Sequence, residues 1–548
     1  MRIRIPFALF LILLCTVGIL SYATAVTVTK TTAQTASGLV TTLYYQNANG
    51  PGSTTPGDDT STVKPTSSGN TYATASGGNA YLWSPQFSSS TAIGAGNWIF
   101  NFWAASSSLT DVPITLTNSQ TSATPTPLQV LIQPNPSSYS TYEASNLGNI
   151  GFCTSTACTT ELHSWLEGCG SSAPYGPCST SSTVANFWVK LTSSIAASGG
   201  TLTIYMVFLP TSTGFDGNYR GEAPQLSATY AAYDNGANVF DLYFNGNTPI
   251  ADFNAGTDNA ISQTTTTNPI TGGSTLNVID LTGYGASNRV NMILTTPLPA
   301  GNPSYGEIAE SYSEIQNGDA GNLQGLAGFC DSTTTGSTTI NAESEVVGAS
   351  GTLYDYVYVA DGAATKETGA GVDAALTWYY AALAYPGTAS TSFSGIVSTT
   401  FYAAYAASLA EHPITGSTQL YWCSVGSSVQ GNPDGLYFNW GRARAYPPSG
   451  VLPSVAFGSI AANTAEISIY LTGSTGTATT TIASGVQTPA LGTSEALFTM
   501  TFVGAQATIP ANGYIELVIA APAGTTVTIG WGSTTPTDFQ VPFYVEKQ

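Results

Sequence analysis

The sequence predicts an all-β fold, organised as tandem β-sandwiches with small flanking β-domains. Runs rich in β-branched and aromatic residues recur along the chain, for example Val184-Ala-Asn-Phe-Trp-Val-Lys-Leu191, Thr201-Leu-Thr-Ile-Tyr-Met-Val-Phe-Leu209 and Ala375-Leu-Thr-Trp-Tyr-Tyr-Ala-Ala-Leu-Ala-Tyr385. Turn clusters of Gly, Pro, Ser and Thr close such runs at intervals of roughly 8–12 residues, the rhythm of sandwiches and barrels. Composition agrees: 42% hydrophobic and 11% aromatic residues can fill a core, whereas disordered chains are poor in aromatics and rich in charge. Gly351-Thr-Leu-Tyr-Asp-Tyr-Val-Tyr-Val359 is a further strand run. Only the segment Phe401-Tyr-Ala-Ala-Tyr-Ala-Ala-Ser-Leu-Ala-Glu-His412 is ambiguous, helical by its alanines and extended by its Tyr spacing.

The first residues read as an export signal. Arg2 and Arg4 precede an apolar stretch over 7–20, and Ala23-Thr24-Ala25 supplies small residues for cleavage after Ala25. The apolar run is short for a span of about 20 residues, so the expectation is a signal peptide at 1–25, no transmembrane anchor once it is removed, and an extracellular or cell-surface product.

Charge narrows the partners. Eleven basic against 31 acidic residues give a net charge of −20, which argues against nucleic acid and anionic membrane surfaces, both of which demand a Lys/Arg footprint. Charged residues are only 8% of the 548, against about 25% in ordinary proteins. A surface with so few titratable groups changes little as pH falls, and an acidic exterior habitat is the expectation. No Asn-x-Ser/Thr acceptor with a permitted middle residue occurs, so N-linked glycans are not expected.

Seven cysteines occur, and Cys15 leaves with the signal. The remaining six, Cys153, Cys158, Cys169, Cys178, Cys330 and Cys423, read as disulfides of an exported chain rather than zinc thiolates, because no tight C-x₂-C pair is present. The first four allow three connectivities, of which the local pairs Cys153–Cys158 and Cys169–Cys178 are preferred. Cys330–Cys423 follows if those four pair among themselves.

Length suggests several domains. The expected division is a signal at 1–25, an N-terminal β-domain at 26–108, a Cys-rich β-sandwich at 109–215, a larger sandwich at 216–455 and a C-terminal β-domain at 456–548. A Pro/Gly/Ser/Thr-rich stretch at 51–69 reads as a loop or hinge. The terminal segments echo each other at one constant offset. Ala80-Tyr-Leu-Trp, Ile93-Gly-Ala-Gly-Asn-Trp-Ile and Phe102-Trp-Ala-Ala105 align without gaps on Ala496-Leu-Phe, Ile509-Pro-Ala-Asn-Gly-Tyr-Ile and Val518-Ile-Ala-Ala521. Two related small domains bracketing the rest are expected.

Two stretches carry resemblances. Pro113-Ile-Thr-Leu-Thr-Asn118, Leu128-Gln-Val-Leu-Ile132, Asn149-Ile-Gly-Phe-Cys153, Trp165-Leu-Glu167, Phe187-Trp-Val-Lys190 and Thr203-Ile-Tyr-Met206 follow one another in an order that resembles a domain family of unknown function in prokaryotic surface proteins. The Cys-rich insert departs from that pattern, as does Val207-Phe-Leu-Pro210 in place of the usual Tyr-Tyr-Gly. Tyr233-Asp-Asn-Gly-Ala-Asn-Val-Phe240 and Leu436-Tyr-Phe-Asn-Trp-Gly-Arg-Ala-Arg-Ala-Tyr446 then resemble the opening and closing strands of laminin-G or concanavalin A-like lectin domains of archaeal surface proteins. The resemblance implies a concanavalin A-like jelly roll for 216–455 and carbohydrate or surface recognition. It carries no fixed catalytic set.

Candidate chemistry is sparse. Glu310 and Glu314 share a strand face with Tyr312 between them, in the richest carboxylate stretch, 305–315. A glycosidase on such a fold needs another carboxylate between the pair, so this stretch reads as a solvated strand face. The two histidines, His163 and His412, lie near no G-x-S-x-G elbow and read as structural. An acid peptidase finds no D-T-G-like signature. Asp58-Asp59, Asp252 with Asp258, Asn432-Pro-Asp434 and above all Asp234 and Asn235 offer hard oxygens of the kind calcium takes, although Asp/Asn-Gly is also ordinary turn chemistry. Calcium is therefore the one cofactor left open. Trp378, Tyr380 and Trp422 are the candidate sugar-stacking platforms, set against the commoner fate of an aromatic, which is the core. The expected role is a non-catalytic, lectin- or adhesin-like surface protein. A self-associating envelope or filament subunit and a secreted glycoside hydrolase or acid peptidase are the alternatives.

Overall fold

The computed structural model describes most of residues 41–542. Residues 1–40 and 543–548, the stretches 46–59, 62–70, 284–289, 300–305, 317–322, 331–340, 369–375, 400–406, 410–418 and 428–433, and several shorter loop segments lie outside the described residues. The expected signal peptide, most of the hinge, Asp58-Asp59, Asp258, Asn432 and His412 fall there. Of the ambiguous segment, Ala407–Leu409 is a strand, and its other residues are outside the description.

The regular structure of the described residues is almost entirely β-strand, as expected, with helix limited to the single turn Gly236–Val239 and brief 3-10 turns. None is long and apolar enough to cross a membrane. Two compact units form: residues Leu109–Ala462 make one, and the segments on either side of them make the other.

The two terminal segments are not two small domains, which corrects the division expected from sequence. They interleave in one sandwich. Asn79–Trp83 pairs with Tyr514–Ala520, Thr91–Ile93 with Ala507–Ile509, and Gly96–Ser106 with Ala496–Gly504. In the sequence echo these are first strand on third, second on second, and third on first. Ala92 and Thr508, equivalent positions of the two copies, face each other in the central pair. The copies thus pair crosswise, but their third strands turn different echo positions inward: Trp98, Phe100 and Phe102 in one, Ile515, Leu517 and Ile519 in the other. Period-two alternation explains why neither copy stands alone. Trp98, Phe100, Phe102 and Ala104 from one copy need Met500, Phe502, Ile515, Leu517 and Ile519 from the other to close a common core. The Ser454–Phe457 strand, which the expected boundary between 455 and 456 would divide, instead pairs as a whole with Thr110–Asn118.

The Leu109–Ala462 unit is a stack of four antiparallel sheets with one parallel edge. The first sheet orders Glu161–Leu162, Ile150–Cys153, Gly200–Phe208, Thr110–Asn118 and Ser454–Phe457. The second orders Arg220–Glu222, Ser164–Cys169, Ala185–Leu191 and Leu128–Ile132. The third holds eight strands, with Asp434–Ala445, Glu307–Ile315 and Thr377–Tyr385 adjacent at its centre, and the fourth holds seven. Arg220–Glu222, placed in the larger sandwich from sequence, runs parallel to Ser164–Cys169 at the edge of the second sheet. Val130, Phe187, Val189, Ile204 and Met206 fill the space between first and second sheets. Phe244, Leu383, Trp422 and Phe438 fill that between third and fourth.

The second and third sheets also pack face to face. Strand alternation sends Trp165 and Trp188 out of the second sheet toward Ile308, Tyr312, Tyr380, Ala382 and Trp440 of the third. One irregularity makes this possible. Along Asp434–Ala445, Leu436 and Phe438 face the fourth sheet, then Asn439 bulges out of register with Glu307–Ile315. An extra residue inverts the alternation, so Trp440, Arg442 and Arg444 turn to the second sheet. Asn439 is held there by Tyr230, whose hydroxyl donates to its carbonyl at 2.9 Å, and by its own amide on Gln225 at 2.8 Å. Gly441 follows because a Cβ would meet the Phe244 ring at 2.3 Å.

The disulfides are Cys153–Cys158, Cys169–Cys178 and Cys330–Cys423, the pairs preferred from sequence. They are the chemistry of an oxidising compartment. Cys330–Cys423 closes 93 residues and Cys153–Cys158 only five. Loop-closure entropy then assigns about 4–5 kcal/mol to the first and about 2 kcal/mol to the second. Cys330→Ser/Cys423→Ser should accordingly lower the denaturation midpoint about twice as far as Cys153→Ser/Cys158→Ser, measured by urea titration; equal losses would contradict this assignment.

Candidate functional site

Glu310, Trp378 and Tyr380 of the candidates from sequence meet at the contact between the second and third sheets, and Trp422 does not. Glu310, from the centre of Glu307–Ile315, is fully buried, as are Glu307, Ser311 and Ser313. This corrects the reading of 305–315 as a solvated face: the second sheet covers the Glu310 side, and the fourth covers the other, where the Ser311 hydroxyl donates to the Leu326 carbonyl at 2.6 Å. Glu310 accepts hydrogen bonds from Arg442 Nε at 2.5 Å, from Arg444 Nε at 2.8 Å and from the Tyr380 hydroxyl at 2.6 Å. Arg442 Nη2 lies 3.1 Å from Glu167 of the second sheet, and Trp188 Nε1 donates to the same carboxylate at 3.1 Å. The Arg442 guanidinium is caged by Trp165, Trp188, Phe240 and Trp440, with ring centroids 4.5–5.3 Å away. Arg444 lies over the Trp188 ring at 4.6 Å. Two arginines and two glutamates therefore form a charge-balanced cluster inside an aromatic shell.

Burial on its own would raise the Glu310 pKa, but Arg442 and Arg444, helped by the Tyr380 hydroxyl, outweigh it and hold it at about 2. A carboxylate fixed in its ionised form has no proton to donate, so Glu310 is unfit as the general acid of a glycosidase. Glu314, at the end of the same face, is half-buried and takes a hydrogen bond from Gln316 at 2.7 Å.

The candidate platforms are used up by packing. Trp422 is fully buried between the third and fourth sheets, 4.7 Å from Phe244 and 5.7 Å from Phe438. Tyr380 is buried against the second sheet with its hydroxyl on Glu310. Trp378 is half-buried and packs on Tyr312 at 4.9 Å. Alternation did separate Trp378 and Tyr380 from Tyr379, but both faces turn out to be interior, because sheets cover both. At the rim of this contact a cavity of about 170 Å³ is lined by Ile308, Ala382, Ile396, Leu131 and Leu452, with Arg444 at one wall.

Asp234 and Asn235 do not make a calcium site. Asp234 accepts from Trp165 Nε1 at 2.8 Å, Tyr243 hydroxyl at 2.6 Å, Asn245 Nδ2 at 2.7 Å and the Gly236 amide at 3.0 Å. Its oxygens are surrounded by donors, whereas a cation must be surrounded by oxygens. The Asn235 amide donates to the carbonyls of Ser164 and Asn218 at 3.0 and 2.7 Å. The pair fastens the 216–240 segment to the Cys-rich sandwich. Among the described residues no cluster of three or more His, Cys, Asp or Glu has metal-binding geometry. His163 is partly exposed and stacks on Tyr219, centroids 4.6 Å apart and planes 7° apart.

Sequence reasoning missed Arg442, Glu167 and Trp188. Its signal was present in Trp440-Gly-Arg442-Ala-Arg444, three large polar or aromatic residues on one strand face. Which sheet that face meets depends on the bulge at Asn439, which the sequence reading did not foresee.

No family model matches the chain, and the two family resemblances drawn from sequence find no support there. "Uncharacterized protein 562" of Sulfolobus islandicus rod-shaped virus 1 is 35% identical over 351 residues, 63% of this chain and 58% of that protein. The chain thus spans less than two thirds of that relative's length. Among solved structures, the carbohydrate esterase of Shiga toxin-encoding bacteriophage phi24B aligns with 38% of this chain and 98% of its own, at 11% identity and TM-score 0.27. The Bacteroides ovatus xyloglucan-locus GH43B protein aligns with 48% and 47%, at 10% identity and TM-score 0.25. Likeness at this level carries no functional inference.

Two outcomes test the cluster. Arg442→Met leaves two buried carboxylates short of their shared cation and should cost about 3–5 kcal/mol, read as a lower denaturation midpoint; a change under about 1 kcal/mol would refute its structural role. The second is pH dependence. Burial raises Glu143 to about 8, Glu516 to about 7, and Asp111 and Asp241 to about 6. Groups raised in the folded state contribute stability that is complete below their ordinary values and is lost as pH climbs through 6 to 8. Glu310, lowered to about 2, acts oppositely, and its contribution fails only as pH drops toward 2. The melting temperature should thus be higher at pH 4 than at pH 8, and a rise from pH 4 to pH 8 would contradict these assignments.

Proposed function

We propose that this chain is a non-catalytic extracellular surface protein that recognises carbohydrate. The observation that carries the non-catalytic half is the covered third sheet: Glu310, the central carboxylate of its best-spaced pair, is buried under the second sheet and locked in ionised form between two arginines, while Glu314 is half-buried. Sites that process a polymer need an open cleft with an acid able to give up a proton. Three disulfides, the low charge and a core built for acidic pH support an exposed station outside a cell. The viral origin of the similar protein supports a place at a virus–cell or cell–environment boundary.

A second reading, a structural subunit, is favoured by one specific feature: the low-charge sandwich in which the two terminal segments close on each other leaves β-edges able to pair with neighbours. Glycan-array binding by the whole secreted protein separates the two. Retention of a glycan with no release of reducing ends over hours is the expected result. Turnover of the bound glycan would overturn the non-catalytic claim, and ordered polymer in negative stain without glycan binding would install the structural reading in its place.

A further inference from the structure

The aromatics expected to meet sugar are buried, but another set is not. Of the large apolar side chains exposed among the described residues, three are aromatic, and two of these, Tyr219 at 38% and Tyr233 at 45%, come from one loop cluster. The cluster lies at the edge strand Arg220–Glu222 of the second sheet. Glu222 N donates to the Tyr233 carbonyl at 3.1 Å, and Ser164 N to the Tyr219 carbonyl at 2.8 Å, so both tyrosines are tied to the sheet. His163 backs the Tyr219 ring in a parallel stack, and Phe215 lies 6.3 Å from the Tyr233 ring.

The loop between them is braced. Asp216 Oδ1 accepts from the amides of Asn218 and Arg220 at 2.8 and 2.9 Å. Gly217 takes φ +68°, a left-handed turn that a side chain would strain. The Asn218 carbonyl accepts from Asn235, and the Asn238 amide reaches it at 3.3 Å, beside Lys190 Nζ on the Asn238 carbonyl at 3.1 Å. Arg220 bridges Glu161 and Asp216. Rings and amides are therefore pre-positioned, which spares the ordering cost of binding.

Resting on the carbohydrate-recognition reading above, we propose that Tyr219 and Tyr233, flanked by exposed Asn218 and Asn238, form the binding platform for an uncharged pyranose-based glycan. A sugar ring offers a C–H face to aromatic rings and hydroxyls to amides, and this patch supplies both. The local charge leans acidic, with Glu161, Asp216, Glu222 and the buried Asp234 against Arg220 and Lys190, which disfavours an acidic glycan. A chain of net charge −20 repels acidic glycans from the rest of its surface. Two separate rings are too small an apolar area for a protein or lipid partner, which calls for a contiguous patch of several hundred Å².

The test uses the whole secreted protein and a panel of cello-, laminari-, manno- and galacto-oligosaccharides, with sialylated and sulfated glycans alongside, measured by array and then calorimetry. Tyr219→Ala/Tyr233→Ala should weaken the neutral ligand by at least about tenfold, a loss of one good contact, while Tyr219→Phe/Tyr233→Phe stays within about twofold. Tetranitromethane nitration of the wild type, mapped by mass spectrometry, covers the case in which the alanine variant misfolds: saturating glycan should protect both tyrosines. Wild-type binding that survives the alanine variant, or equal nitration with and without glycan, overturns this platform while leaving carbohydrate recognition standing. Preference for acidic glycans overturns the ligand class, and binding of no glycan overturns platform and reading together.

Discussion

Glu310 between Arg442 and Arg444 is the contact on which the larger unit turns. Four charges taken out of water are expensive unless each finds its partners, and here those partners come from different sheets. Glu310 and both arginines belong to the third sheet, Glu167 and Trp188 to the second. Neither sandwich can satisfy its buried charges without the other, so the two are held as one body by more than apolar area. The cluster also fixes register. Arg442 and Arg444 reach Glu310 only because the strand is bulged at Asn439, and a one-residue slip would send them into the apolar core behind.

The all-β class, the sandwich layering and the disulfide pairs were legible in the sequence because each depends on local pattern. Alternation marks strands, turn clusters bound them, and short Cys spacings restrict pairing. The site was far less legible. Trp378, Tyr380 and Trp422 read as platforms only if one sheet face is open, and a single sequence does not state that a second sandwich will cover it. Glu310 looked solvated for the same reason. Asp234 and Asn235 had the right oxygens for calcium, yet their meaning depended on Trp165, Tyr243 and Asn245, donors brought in from other strands. The repeat between the termini was visible, but not that its copies would pair reciprocally. An offset reports likeness and is silent on who binds whom.

Sealing the third sheet moves any recognition to edges and loops, where polar backbone and exposed rings lie together. That placement suits a surface protein of low charge. Its buried charges, Glu310 and Glu167 with Arg442 and Arg444, are spent on cohesion. The same economy leaves the exterior with amides, hydroxyls and a few tyrosines as its vocabulary for contact.

The interleaved sandwich has a consequence for the order of events during synthesis. Gly96–Ser106 cannot acquire Ala496–Gly504 beside it until some four hundred further residues exist, an interval that contains the whole of Leu109–Ala462. The described strands of the inserted unit pair with one another and are free to do so while the early strands wait. Non-local pairing of this kind is slow and leaves edges open in the meantime. Asn79–Trp83 and Gly96–Ser106 therefore wait for Tyr514–Ala520 and Ala496–Gly504, partners made far later in the chain.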